Sequence, residues 1–212
     1  MSGHLTSRFT GDVVADPSTR LQSVIADIDA SNAGDPRQDI IGGQSRPREV
    51  VYSERMSECL ARLYPGCSEE LHIAARAQHI RRWQIPRDTY PLGRGGYNSW
   101  RAACRRHHAT LTAAIMRRHG YAEAPIAHVA KMIQKEELKR DGESQALENV
   151  VGVVFAEHYL DAFVASHKDY TDEKFAGILR KTMRKMDAVG HAAVLALNAP
   201  PHVRRLMDIA LN

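Results

Sequence analysis

The chain of 212 residues is 43% hydrophobic and 25% charged, which suits one domain with a sizeable core and excludes a disordered tract or a collagen-like repeat. Its longest uncharged apolar stretch, Ala188 to Pro201, holds His191, Asn198 and a proline pair and is shorter than the roughly 18 to 20 residues a membrane span needs, so no membrane partner is expected. The formal charge of +4 is unevenly placed: residues 79–106 contain seven arginines, no lysine and one acid, Asp88, a net +6 that leaves the rest of the chain at −2.

Residues 1–15 carry His4, Arg8 and Asp12 with no apolar block, and read as a flexible terminus without a secretory signal, followed by a single all-helical domain over 16–212. Aliphatic residues recur at three- and four-residue spacing and no period-two pattern stands out, so the fold class is all-α, a bundle of about seven to nine helices. A first helix opens at Asp16-Pro17-Ser18 and stops before Gly34. Two prolines and Gly42-Gly43 make residues 35–47 a loop. The second helix covers about Arg48 to Leu63, with Val51, Met56, Cys59, Leu60 and Leu63 inward. Ser68 caps a third that reaches about Trp83, where Pro86 breaks it.

A long loop, Pro86 to Gly96, leads to a fourth helix from Tyr97 to about His119. The fifth is read over about Pro125 to Arg140, the sixth from Glu143 or Ser144 to about Ser166, and two or three more over Asp172 to Ala210, interrupted at Gly190 and Pro200-Pro201. Cys59, Cys67 and Cys104 are too few and scattered for a disulfide framework or a zinc site, which implies a reducing, cytoplasmic setting.

The basic segment also contains both tryptophans, Trp83 and Trp100, and is the candidate site. Arginine grips phosphate or carboxylate with a planar two-point fork and stacks on aromatic rings. Arg82, Arg87, Arg94 and Arg101 therefore read as anion contacts, with Trp83, Tyr90, Tyr97 and Trp100 available for stacking. Gly93, Gly95 and Gly96 would let backbone amides approach a phosphate. The structural alternative is that the aromatics pin an irregular segment while the arginines pair with acids such as Glu54 and Glu148. On the third helix His72, Arg76, His79 and Trp83 follow at spacings of 4, 3 and 4, one helical face. His79 feeds directly into the basic segment and is the functional candidate, whereas His72 reads as a satisfied, half-buried ring. His107 and His108 are further candidates, of which at most one faces a shared site. Lys135-Glu136-Glu137 reads as an exposed charge run, and Lys181, Arg184 and Lys185 as a solvated basic face.

The spacing of Glu54, His79 and Glu148 resembles the HD superfamily of metal-dependent phosphohydrolases, with Gln78-His79 where that superfamily has His-Asp, Glu54 in place of its first histidine and Glu148-Asn149 in place of its late aspartate. That resemblance implies an HD-like bundle in which Glu54, His79 and Glu148 are the catalytic residues and candidate ligands of a divalent metal ion. The phrase from His79 to Arg101, with Lys135, the run Glu143 to Asn149 and the run Lys181 to Met186, resembles the domain of unknown function 4202 family over nearly the whole chain after about Ser18. That family leads one to expect an aspartate where Asn149 stands. Two functions follow as expectations. One is an HD-like enzyme for a small anionic substrate, phosphorylated or carboxylated, with a nucleotide as one candidate and metal-dependent hydrolysis as the reaction the HD resemblance implies. The other is a nucleic-acid module that binds RNA through residues 79–106. Either is compatible with a homo-oligomer.

Overall fold

The computed structural model describes residues 17–211; the terminus read as flexible, residues 1–15, lies outside them. The fold class agrees with the aliphatic spacing, since ten α-helices pack around one core among the described residues, with a single small hairpin.

Helix α1 (Pro17–Asn32) is followed by the segment read as a loop, which instead pairs with itself. Strands β1 (Gln38–Ile41) and β2 (Gln44–Pro47) run antiparallel, Gln38 opposite Pro47 and Ile41 opposite Gln44. Gly42 and Gly43 make the two-residue turn at φ of 56° and 81°, the left-handed pair that such hairpins require and that glycine adopts freely. Asp35 ties the hairpin to the next helix: its buried carboxylate accepts from the Arg37 backbone, from Arg37 Nε and from the Glu49 backbone, at 3.0 to 3.2 Å.

Helix α2 (Arg48–Leu63) has the expected bounds and buries Val51, Met56, Cys59 and Leu60, together with Glu49 and Tyr52. Helix α3 (Glu69–Arg76), capped by Ser68, ends well before Trp83. The chain leaves it because groups from elsewhere capture its backbone. Asn32 Oδ1 accepts from the Arg81 N–H at 3.0 Å, and His108 Nδ1 bonds the Ile80 carbonyl at 2.8 Å. Arg81 takes a left-handed φ of 47°. The single face of His72, Arg76, His79 and Trp83 is therefore not formed.

After 3₁₀ turns at Arg82–Gln84 and Arg87–Thr89, α4 (Gly93–Arg118) begins four residues before Tyr97, so Gly93, Gly95 and Gly96 are its first turn and not a loop. At Gly96 a Cβ would stand 1.9 Å from the Pro91 carbonyl oxygen, which makes the close approach of backbone the reason for that glycine. Helix α5 (Glu123–Gln134) stops short of Arg140 at Lys135, whose φ is 62°. The helix read to Ser166 is two, α6 (Gly142–His158) and α7 (Leu160–Ser166), broken at Tyr159. Next come α8 (Asp172–Met183), α9 (Ala188–Leu195) and α10 (Pro201–Leu211), the break before α9 falling at 184–187 and not at Gly190.

Helix α6 is buried on nearly every side and touches α2, α3, α5, α7 and α9, the behaviour of a helix that is apolar all round. Met56, Ile73, Met116, Met132, Leu160 and Leu179 share the core with its own Leu147. One polar clasp lies inside. Asn149, fully buried on α6, donates through Nδ2 to Tyr64 Oη at 2.6 Å and to Asp187 Oδ1 at 2.7 Å, while its Oδ1 accepts from the Asp187 N–H at 3.0 Å. Asp187 in turn caps α9 through the Val189 N–H. No helix among the described residues is long and apolar enough to cross a membrane.

Candidate functional site

The captured turn after α3 is what places His79. Ile80 is anchored in the core, so the preceding imidazole projects into a cavity of about 730 Å³ lined from α2, the start of α4, α6, α7 and α8. A quarter of the His79 side chain is exposed there. Its ring stacks on Tyr52 at 3.8 Å and 12°, and its Nδ1 stands 3.2 Å from Glu49 Oε2. Burial, then the positive charges of Arg82, Arg101, Lys135 and Arg37, holds His79 well below the ordinary imidazole value of 6.5, so the ring is neutral near pH 7. Burial pushes Glu49 up, opposed by Arg37 and Arg82.

The cations differ in what already holds them. Arg37 bridges Asp35 at 3.0 Å and Glu49 at 2.5 Å, Arg48 pairs with Asp39 at 2.9 Å, and Lys135, largely buried, pairs with Glu148. Lys185 stands 4.0 Å from the other Glu148 oxygen. Among the described residues no carboxylate lies within 4.0 Å of Arg82 or Arg101. Arg82 instead lies over the Trp100 ring at 4.6 Å, and Arg101 donates to Tyr97 Oη at 3.3 Å. Phe155, Tyr159, Phe163 and Tyr170 give the same cavity an aromatic wall. A second recess of about 640 Å³ shares Arg37 and Arg82 with the cavity and is lined further by Trp83, Ile85, Arg87, Leu92 and Trp100.

Of the residues singled out in the sequence, His79, Arg82, Tyr97, Arg101 and Glu148 meet in the cavity. Trp83, Arg87 and Trp100 line the recess beside it, and Tyr90 and Arg94 line neither. Glu54 is elsewhere: it lies on another face of α2, held by Arg46 at 2.7 Å. The carboxylate beside His79 is Glu49, which shares the inward face of α2 with Tyr52 and Met56 at spacings of three and four. That spacing was the available signal for both Glu49 and Tyr52. Lys135, read as exposed, is largely buried in the cavity wall, whereas Lys185 is exposed as read and also lines the cavity. His108 is buried and, like His79, held well below 6.5, by burial first and then by His79 and Arg82. Among the described residues no three His, Cys, Asp or Glu side chains are grouped to hold a metal ion. With Glu54 on Arg46 and Glu148 on Lys135, the residues expected to bind a divalent ion do not form a donor set.

The two depressed histidines give stability a pH dependence with a definite sign. The unfolded chain protonates them near 6.5 and the fold resists, so the unfolded state binds more protons below that pH. Their contribution is complete above about pH 7 and falls as the pH drops below 6.5, by up to about 1.4 kcal/mol per pH unit for each ring. In urea unfolding between pH 7.5 and 5.5, His108→Gln should flatten this slope relative to the parent. Parallel slopes in the two proteins would contradict the assignment.

These features define an all-helical protein with a cation-rich cavity backed by aromatic rings. The chain belongs to the DUF4202 family, a domain of unknown function, whose family model matches residues 22–207. No curated protein and no solved structure matches the chain.

Proposed function

We propose that the protein is an enzyme for a small anionic molecule with an apolar or aromatic body, a phosphorylated or carboxylated compound of nucleotide size. The observation that carries the reading is that Arg82 and Arg101, free of carboxylate partners within 4.0 Å among the described residues, flank a neutral His79 inside one cavity. A volume of about 730 Å³ lies in the range of small-molecule sites, and the aromatic wall supplies the apolar surface such sites use. In this reading the two guanidinium groups hold the anion and stabilise charge that builds during reaction. Glu49 Oε2 stands 3.2 Å from His79 Nδ1, and Nε2 acts as the base at the pH where the ring is unprotonated. The metal-dependent version has no donor set behind it, so the acid and base work is assigned to His79, Glu49 and Tyr52. The RNA reading needs basic groups spread over an open surface, and the recessed positions of Arg82 and Arg101 favour a small molecule. Three free cysteines fit a cytoplasmic location.

Calorimetric titration with adenosine 5′-monophosphate and with adenosine tests the anion site. The monophosphate should bind at least about tenfold more tightly, and Arg101→Gln should remove most of that difference, a loss of about 1.5 to 3 kcal/mol for charged hydrogen bonds. Equal affinity for the two compounds in the parent protein would sink the reading. For chemistry, a mixture of phosphorylated metabolites followed by mass spectrometry should show a conversion that slows about 10²- to 10⁴-fold in His79→Gln.

A further inference from the structure

The cavity and the second recess meet at Arg37 and Arg82. Arg37 is already gripped by two carboxylates, Asp35 and Glu49, so Arg82 is the cation at that junction left for a ligand. The recess is lined further by Trp83 and Trp100, the two tryptophans of the chain, with Ile85, Pro86 and Leu92, which is 95% exposed, and by one pair of opposite charges, Arg87 and Asp88. The larger cavity, which Arg82 also lines, carries the aromatic rings of Phe155, Tyr159, Phe163 and Tyr170. Two ring-lined hollows with a cation between them match a ligand made of two rings joined by an anion. Aromatic side chains stack bases of any identity, and an arginine at the midpoint suits a phosphodiester.

We infer that the site takes two bases linked by a phosphodiester, the link on Arg82, one base against the aromatic wall and the other in the tryptophan recess. The inference rests on the anionic-ligand reading and adds the second ring. The same chemistry occurs as a free dinucleotide and at the end of a single strand.

The test titrates the full chain with adenosine 5′-monophosphate, with the 5′-phosphorylated dinucleotide pApA and with an adenylate decamer, reading heat and tryptophan fluorescence. Expected is at least tenfold tighter binding of pApA than of the monophosphate, with the larger fluorescence change, because both reporters line the second recess. In Trp83→Leu the advantage of pApA should fall below threefold. Equal affinities for monophosphate and pApA, with the monophosphate bound, would overturn the second ring and leave the anion site standing. Failure of both to bind would overturn both. A decamer no tighter than pApA assigns a free dinucleotide, and a decamer more than tenfold tighter with a steeper salt dependence assigns a strand end; each keeps the two-ring site.

Discussion

Asn149→Asp is expected to lower stability by about 3 kcal/mol at pH 7, because it sets a second carboxylate against Asp187 at a position with no exposure. The wild-type amide serves two roles at once, donating to the Asp187 carboxylate and to Tyr64 and accepting from the Asp187 backbone. An aspartate keeps the acceptor and loses the donor. The damage reaches α9, whose first turn is capped by the same Asp187 and whose Gly190 lies against this residue, since a Cβ there would stand 2.7 Å from Asn149 Oδ1. Urea denaturation gives the number, and a loss under about 1 kcal/mol would show that the clasp is not needed. The aspartate that the family resemblance leads one to expect at 149 would not suit these neighbours, so the amide at this position is explained by packing.

Removing the amine from Lys135 should cost more. Lys135→Met leaves Glu148, 5% exposed, with Lys185 at 4.0 Å as its remaining ion pair among the described residues, and breaking a buried pair on one side costs about 3 to 5 kcal/mol. Burial lowers the Lys135 pKa while Glu148 raises it, the mark of an amine that depends on its partner. The double variant Lys135→Met, Glu148→Leu should recover most of the loss, since an apolar pair leaves no stranded charge. Additive losses in the double variant would mean that the two side chains act independently.

How far these arrangements can be read from sequence depends on how local their causes are. The bounds of α2 follow from an apolar stripe within sixteen residues, and the agreement there is close. The hairpin escapes because four residues per strand are too few to show a period of two, and only Gly42-Gly43 announces the turn. The early end of α3 cannot be seen from the local pattern, because Asn32 and His108, which hold its trailing backbone, come from distant helices. The same distinction applies to the site. His79 and the arginines stand out in one basic run, whereas Glu49 looks like an ordinary first-turn acid and Lys135 like a solvated charge until Glu148, thirteen residues later, is folded against it. Glu54 has an equally suggestive spacing but faces Arg46.

The cavity draws on residues from Arg37 to Lys185, with no single helix supplying more than part of its lining. A fragment lacking either the hairpin side or the end of α8 would present only an open shelf. Occupancy of the hollow should therefore report on the integrity of several helices at once: a guest bound there is expected to slow amide exchange in α2, α6 and α8 together, because opening any of them would remove part of its wall.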